Sequence, residues 1–197
     1  DPTFFKPFDD EKIEELKDKH GLKDKFVCFW NNRNARRKMS GSLILWFRNF
    51  CNKVGKDNAV LIMHTDPNDP YGQPLDHLLA HFTEMDGNIM LSRDKVSPEY
   101  LAAMYNMADC TINISDAEGF GLATLESLSC GTPIVATMTG GLQEQVTDGE
   151  NWFGAGIEPS SKALIGSQQV PYIYEDRISE EDFMNAVSKI YEMKREE

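Results

Sequence analysis

Short apolar segments alternate with amphipathic helical segments along most of this chain of 197 residues. The apolar segments are rich in β-branched and aromatic residues, which is typical of buried strands. A chain of this kind buries its strands most readily as a parallel sheet, with a helical crossover after each strand. The sequence therefore predicts an α/β fold, a Rossmann-like doubly wound parallel sheet with helices on both faces. The predicted strands are 25–31, 58–66, 88–92, 110–115 and 133–137. The predicted helices are 9–20, 40–54, 75–85, 97–108, 121–130 and 178–194, with a short helix after the Gly-Gly turn in 139–149.

Capping residues mark several of the predicted helix boundaries. Ser97 precedes Pro98 at the start of one helix, and Ser179 stands before the last helix. Gly131 follows a helical segment directly, at the position where glycine commonly ends a helix. The least patterned segment is 159–176, and we expect an irregular loop there, near one edge of the domain.

Composition excludes several classes of protein. Asp and Glu outnumber Lys and Arg by 32 to 20, which gives a net charge of -12, whereas nucleic-acid binding needs a basic surface. No segment approaches the roughly 18 apolar residues that span a bilayer. The four cysteines form no C-x-x-C pair and stand in apolar runs, as buried, reduced thiols do. We therefore expect a cytoplasmic protein with no nucleic-acid partner and no transmembrane segment.

Two patterns resemble metal sites only superficially. His77 and His81 are four residues apart on a predicted helix, but no Glu follows the first histidine, as it would in a zinc protease. The turn 66–70 carries carboxylates but lacks later ligands of a calcium loop. We expect no metal and no other cofactor.

The loop 116–121 joins the fourth predicted strand to a helix, at the edge of the sheet where ligands bind in such folds. Gly119 and Gly121 allow backbone NH groups to approach a ligand, and the helix N-terminus attracts anions. Glu118 and Glu126 flank this anion site, and carboxylates accept hydrogen bonds from hydroxyl groups. The pattern favours a phosphate site beside a polyol site. The alternative is that both glutamates are ordinary solvated helix residues.

A cluster of cations follows the first predicted strand, which ends at the same edge of the sheet. Four of six consecutive residues are basic, although the chain as a whole is strongly acidic. Arginine can bind phosphate oxygens in pairs, and lysine acts as a point charge. The cluster therefore indicates a diphosphate, while a solvated basic turn is the alternative. Its members are Arg33, Arg36, Arg37 and Lys38.

These motifs together resemble the C-terminal, donor-binding half of a GT-B fold glycosyltransferase, in the retaining group called glycosyltransferase family 4. The segments "RNARRK", "VSPEYLAAMYNMADCTINIS", "EGFGLATLESLSCGTPIVA" and "GGLQEQV" occur in the order of that family, over about residues 25–150. The resemblance implies transfer of a hexose from a nucleoside-diphosphate sugar to a glycan or glycoconjugate acceptor. GDP-mannose is the first expected donor, and a UDP-sugar is the second.

The resemblance also implies roles for single residues. Glu118 and Glu126 match the paired glutamates of an E-x7-E motif, which hold the sugar hydroxyls and the ribose respectively, and Glu118 is the implied catalytic residue. Arg33 and Lys38 match the two cations on the diphosphate. The remaining implied donor-binding positions form the cradle around pyrophosphate and sugar, and these are Gly119, Phe120, Gly121, Leu122 and Thr124.

The chain departs from the family pattern at Asn32 and Met39, where glycine is common. Residues 1–8 resemble the linker from an N-terminal, acceptor-binding domain, so that 9–197 would be the donor-binding domain. We expect this domain alone to bind the donor but to transfer little, and the missing half could bring the protein to a membrane surface. A nicotinamide-binding protein lacks support because no G-x-G-x-x-G follows the first strand. A non-catalytic nucleotide-binding module or regulatory subunit remains the alternative.

Overall fold

Six strands form one fully parallel sheet in the computed structural model, which describes residues 1–196 and the side chains of residues 1–194. Residue 197 of the predicted domain 9–197 lies outside the described residues. The strands lie in the order β3-β2-β1-β4-β5-β6, which confirms the predicted Rossmann-like α/β fold. Their bounds are β1 Phe26–Asn31, β2 Ala59–His64, β3 Ile89–Ser92, β4 Cys110–Asn113, β5 Ile134–Thr137 and β6 Gly154–Ile157.

The helices connect these strands and lie close to their predicted positions. Ser97 and Ser179 accept hydrogen bonds from Tyr100 N and Asp182 N, as N-caps do. Within residues 1–196, no helix combines the length and the apolar character that crossing a bilayer requires. The bounds are α1 Asp10–Lys19, α2 Ser40–Val54, α3 Leu75–His81, α4 Pro98–Met107, α5 Leu122–Ser129, α6 Leu142–Val146 and α7 Glu180–Glu196, with 3-10 turns at Arg36–Lys38, Lys56–Asn58 and Thr83–Met85.

The central strand β1 is buried on both faces of the sheet. Its residues Phe26, Cys28 and Trp30 belong to the core cluster that packs against α2 and α7. The alternate residues Val27 and Phe29 belong to the cluster on the other face, beneath α4. Because successive side chains of a strand point to opposite faces, this continuous apolar run is what a strand covered on both faces requires.

The order of the strands reverses between β1 and β4, and the pairing there is short. Strand β1 pairs with β2 over its whole length, from Phe26 to Asn31. It pairs with β4 only at Cys28 and Phe29. The Sγ atoms of Cys28 and Cys110 lie 3.6 Å apart across this pairing as free thiols. The reversal makes this point the topological switch point of the sheet, where open α/β sheets bind ligands.

The predicted irregular loop at 159–176 is wrong, because the segment forms a β-hairpin. Strands β7 (Ser161–Ile165) and β8 (Ile173–Arg177) pair in antiparallel fashion, outside the six-stranded sheet. They are short, and one face of the hairpin exposes large apolar side chains, including Leu164 and Tyr174. Neither strand therefore shows the clean alternation of buried apolar and exposed polar residues by which a half-buried strand is recognised in a sequence.

Residues 1–8 lie against α4. The Phe5 ring is buried and meets the Tyr105 ring edge-on, with 6.0 Å between the ring centroids. The amide of Phe8 donates to Asn106 Oδ1 at 2.7 Å. The interpretation of this segment as an interdomain linker stays a prediction.

Candidate functional site at the switch point

Three loops meet at the carboxyl ends of the strands: 32–39 after β1, 114–121 after β4 and 138–141 after β5. The amide of Asp116 donates to the carbonyl of Arg37 at 2.8 Å, which joins the first loop to the second. The amide of Gly141 lies 3.2 Å from the carbonyl oxygens of both Glu118 and Gly119, which joins the third loop to the second. The backbone itself thus brings the cation cluster and the Glu118 loop into one site.

Lys38 and Glu118 are in direct contact at the centre of this site. The Lys38 ammonium donates to Glu118 Oε2, and the two side chains are 8% and 10% exposed. Asn113, the last residue of β4, also donates to Glu118 Oε2, at 3.4 Å. The sequence predicted that these two charges converge on one ligand, and the structure adds that they pair with each other.

Burial and pairing act in opposite directions on the two charges. Burial disfavours the ionised form of Glu118, but the hydrogen bonds from Lys38 and Asn113 outweigh it, so the pKa of Glu118 lies below its usual value. At Lys38 burial is the stronger effect, and the pKa of Lys38 lies below its usual value in spite of Glu118.

Glu126 is held by a buried hydroxyl. The Tyr105 hydroxyl donates to Glu126 Oε2 at 2.9 Å and accepts from Asn31 Nδ2 at 2.8 Å. Burial raises the pKa of Tyr105, so the hydroxyl remains a donor at neutral pH. Asn31 is the last residue of β1, so this chain of hydrogen bonds links α5 to the switch point.

Glu118 and Glu126 share one property. In each, Oε2 is held by the protein, and Oε1 has no hydrogen bond from the described residues. A carboxylate oxygen has room for further hydrogen bonds, so each glutamate can accept one from a ligand hydroxyl without releasing its protein partner.

The N-terminus of α5 opens toward the same site. Gly121 precedes it with a φ of 84°, a left-handed conformation that favours glycine. The first amides of a helix have no partner within the helix, so those of Leu122, Ala123 and Thr124 can donate to an anion. The Thr124 hydroxyl is buried and donates to the Gly121 carbonyl at 2.8 Å. Thr124 therefore offers its amide rather than its side chain to a ligand, while the side chains of Phe120 and Leu122 are exposed.

The paired glycines 140–141 allow the close approach of the third loop. Gly140 has a φ of 50°, and a Cβ atom there would overlap the carbonyl oxygen of Glu118. A Cβ on Gly141 would lie 2.6 Å from the carbonyl oxygen of Gly119. Side chains at either position would push the Glu118 loop away.

Arg33 is placed at the margin of the site and is already paired. Its guanidinium donates to Asp69 at 2.6 and 3.3 Å and stacks on the Tyr71 ring at 4.6 Å. The pair raises the pKa of Arg33, chiefly through the hydrogen bond to Asp69. The side chain is 59% exposed, in contrast to the buried Lys38.

The two departures from the family pattern have structural counterparts. Met39 adopts a φ of 58°, so the backbone has the left-handed conformation that favours glycine, the residue that the resemblance led us to expect at this position. Asn32 Nδ2 is buried and has no hydrogen-bond partner among the described residues.

Buried polar atoms without partners gather at this edge of the sheet. Besides Asn32 Nδ2, they include Thr65 Oγ1 directly after β2 and Thr137 Oγ1 at the end of β5, again within the described residues. Buried polar groups in proteins nearly always have a partner, and each exception needs an explanation. A polar ligand over the carboxyl ends of the strands would explain the grouping.

Sequence reasoning missed a charge network beside the basic cluster. Arg36 forms a two-pronged contact with Glu175 of β8, and Arg177 Nη1 lies 2.9 Å from Asp116 Oδ2. Arg36 and Asp116 stand in motifs that drew attention in the sequence. Glu175 stands in the segment 159–176 that was expected to be irregular, and Arg177 follows that segment directly, so no periodicity identified either residue.

In the described part of the chain, no three His, Cys, Asp or Glu side chains are grouped so that they could hold a metal ion.

Known proteins resemble this chain over most of its length. The family model for glycosyl transferases group 1 matches residues 12–189. Among curated proteins, the D-inositol 3-phosphate glycosyltransferase of Paenarthrobacter aurescens is 41% identical over 76 residues, which is 38% of this chain and 19% of that protein.

Two solved structures share the fold. The Anabaena protein HepE in complex with UDP and glucose has a TM-score of 0.71 and 17% identity, and the match covers 99% of this chain and 46% of HepE. The C-terminal domain of the group 1 glycosyl transferase LpcC from Francisella tularensis has a TM-score of 0.65 and 20% identity, and the match covers 82% and 80%. The chain therefore spans less than half the length of HepE and corresponds in extent to the LpcC domain.

Proposed function

The chain belongs to the family of glycosyl transferases of group 1, and from this premise we propose that it binds the nucleotide-sugar donor of a retaining enzyme of glycosyltransferase family 4. The enzyme transfers a hexose from a nucleoside-diphosphate sugar, with GDP-mannose as the first candidate and UDP-sugars as the second. Its acceptor is a glycan or glycoconjugate, bound through an N-terminal domain outside this chain. No metal takes part.

One observation carries the proposal. Glu118 and Glu126 each keep one carboxylate oxygen on the protein, and the other oxygen has no hydrogen bond from the described residues. Along the chain the two glutamates stand before and after the N-terminus of α5, and the buried Lys38 contacts the first of them. A nucleoside-diphosphate sugar has hydroxyl groups at both ends and a diphosphate between them. Acceptors for hydroxyls on both sides of a cationic centre therefore match its pattern of charge and hydrogen bonding.

The diphosphate takes the centre of the site. Lys38 supplies a positive charge, the first amides of α5 supply donors, and the backbone of Gly119 and Gly121 permits close approach. Arg33 contributes from the margin, because its guanidinium is exposed. When the bond between sugar and diphosphate breaks, negative charge grows on the leaving phosphate, and these fixed donors stabilise it.

The two glutamates take the two ends of the donor. Glu118 accepts hydroxyls of the sugar and fixes the anomeric carbon beside the diphosphate, which is the catalytic contribution that this domain makes. Glu126 accepts the ribose hydroxyls, and Tyr105 holds it in place for this task. With the acceptor domain absent, this chain binds donor and transfers little.

A calorimetric panel tests the proposal. The chain is titrated with GDP, UDP and ADP, and with their mannose, glucose and N-acetylglucosamine conjugates. We expect one nucleotide to bind measurably and its correct sugar conjugate to bind more tightly than the nucleotide alone. A chain that binds no diphosphate would contradict the assignment, and one that binds a nucleotide with no gain from any sugar would be a nucleotide-binding module.

Two variants separate the ends of the donor. Glu118→Gln should abolish the extra affinity that the sugar provides, a loss of about tenfold or more for hydrogen bonds to a charged group. Nucleotide affinity should change less, through the contact between Glu118 and Lys38. Glu126→Gln should weaken nucleotide and nucleotide sugar alike. Glu150→Gln, at an exposed glutamate in a surface turn, is the control and should change neither.

A further inference from the structure

The β7–β8 hairpin, which was not predicted from the sequence, contacts all three loops of the site through consecutive residues of β8. Strand β8 runs beside β7, and its residues Glu175, Asp176 and Arg177 are buried or half-buried. Each of these three residues contacts a different combination of the loops after β1, β4 and β5. The hairpin is thus joined to the site, although it is outside the sheet that builds the site.

Glu175 holds the loop after β1. Its side chain is 4% exposed, and both carboxylate oxygens accept from the guanidinium of Arg36. This contact is the main cause of a lowered pKa of Glu175. Arg36 begins the 3-10 turn that ends at Lys38, so fixing its guanidinium also fixes the turn that carries the central lysine.

Asp176 holds the other two loops. Its amide donates to the carbonyl of Asp116 at 2.9 Å, in the loop after β4. Its carboxylate accepts from the Thr139 hydroxyl at 2.7 Å, in the loop after β5. Asp116 is two residues before Glu118, and Thr139 directly precedes the glycine pair that packs against the Glu118 carbonyl.

Arg177 completes the network. Its guanidinium lies 2.9 Å from Asp116 Oδ2 and 3.0 Å from Glu175 Oε2. The network consists of two arginines and two acids, so its charges balance. The side chains of both acids are buried. Buried ion pairs contribute little net stability because desolvation offsets their attraction, but their geometry can hold a structure in one arrangement.

We propose that β8 is a clamp, in which Glu175, Asp176 and Arg177 position the three loops, and through them Lys38 and Glu118, to receive the diphosphate. They are positioning residues and touch no reacting atom. The identity of the ligand rests on the proposed function, whereas the positioning of the three loops by β8 does not depend on it.

The experiment compares Glu175→Gln with Glu158→Gln, an exposed glutamate between β6 and the hairpin whose side chain has no hydrogen bond or ion pair among the described residues. Glu175→Gln keeps the shape of the side chain and removes its charge. Calorimetry with UDP and GDP gives the dissociation constant, and hydrogen exchange reports the opening of residues 32–39 and 114–121. We expect roughly tenfold weaker binding and faster exchange in both loops, with Glu158→Gln unchanged.

A second variant tests whether weaker binding results from a general loss of folding. Thr139→Val removes one hydroxyl from the clamp without a change in charge, and it should weaken binding and speed exchange in the loop 114–121 to a smaller extent. Melting temperatures show whether each variant remains folded. If both variants lower the melting temperature but leave the dissociation constant and loop exchange as in wild type, β8 is merely structural and the proposal is overturned.

The two proposals fail in different ways. If wild type binds neither UDP nor GDP, the donor assignment loses its support, while loop exchange still decides the clamp. If wild type binds a nucleotide and Glu175→Gln binds it equally well with unchanged exchange, the clamp is overturned and the donor assignment stands.

Discussion

The ammonium of Lys38 contacts the carboxylate of Glu118 across the switch point, although the residues are 80 positions apart in the chain. One residue is proposed to hold phosphate and the other to hold sugar, so the pair fixes the distance between two subsites. The contact also opposes the effect of burial on Lys38, since burial lowers the pKa of the ammonium and Glu118 raises it.

Lys38→Met should weaken diphosphate binding more than Arg33→Met. Lys38 is buried at the centre, whereas Arg33 is exposed and paired with Asp69. We expect a loss of about tenfold to a hundredfold for Lys38→Met and a loss of severalfold for Arg33→Met, measured by calorimetry. Arg93→Met removes a second exposed arginine that is paired with an aspartate, and it serves as the control. A larger loss for Arg33→Met would contradict the placement of the phosphates.

Asp116 should make the stability of the chain depend on pH. The pKa of Asp116 is raised to about 6, and burial is the main cause. Glu175 also raises this pKa, whereas Arg177 and Arg36 lower it. Since the folded state favours the protonated acid, Asp116 contributes stability at pH 4 and below, and this contribution is lost as the pH rises through 6.

Urea unfolding of wild type and Asp116→Asn from pH 4 to pH 7 measures this effect. The free energy of unfolding of wild type, relative to the variant, should fall by about 1–2 kcal/mol over that range. Asp86→Asn, at an exposed aspartate, should show no such trend. A difference that is constant or rises with pH would refute a raised pKa at Asp116.

Tyr105→Phe should destabilise the chain although it removes only one oxygen atom. The Tyr105 hydroxyl is buried between Asn31 and Glu126, and both would lose a partner. We expect a loss of about 1–2 kcal/mol in the free energy of unfolding, together with weaker nucleotide binding through Glu126. Tyr100→Phe, at a tyrosine that is 44% exposed, should change stability by less than about 0.5 kcal/mol. Equal effects of the two variants would show that the buried hydroxyl has no special role.

Gly140→Ala should be far more harmful than Gly87→Ala. Both glycines have positive φ values, of 50° and 83°, so alanine strains the backbone at either position. A Cβ at Gly87 meets no atom within 4 Å, whereas one at Gly140 overlaps the Glu118 carbonyl. Thermal unfolding should show a loss of about 1 kcal/mol for Gly87→Ala and about 2–4 kcal/mol for Gly140→Ala. Similar losses would mean that the loops adapt freely.

The parallel sheet and its helices could be predicted because their signals are local. The helix expected at 40–54 is observed as Ser40–Val54, since the apolar spacing that predicts a helix acts within a few positions. Predicted strands extended one or two residues beyond the observed ends, as at 110–115 against Cys110–Asn113, because the loop continues the apolar run through Ile114.

The contacts between charges could not be predicted in the same way. Sequence showed that the loops of Arg33 and Glu118 meet at one edge, because carboxyl ends of parallel strands do so. It did not show that Glu118 pairs with Lys38, nor that Glu175 reaches Arg36 across 139 positions. Such contacts depend on the packing of separate loops, and charged residues in a short hairpin carry no periodic signal.

The short pairing of β1 with β4, at Cys28 and Phe29 alone, has a mechanical consequence. It leaves two half-sheets, β3-β2-β1 and β4-β5-β6, joined by the shortest strand pairing of the six-stranded sheet. The loop 32–39 follows a strand of one half, and the loop 114–121 follows a strand of the other. A ligand bound to both loops would act as a cross-brace and resist torsion of one half against the other. Donor binding would therefore make the entire sheet more rigid, including its outer strands β3 and β6, which are far from the site.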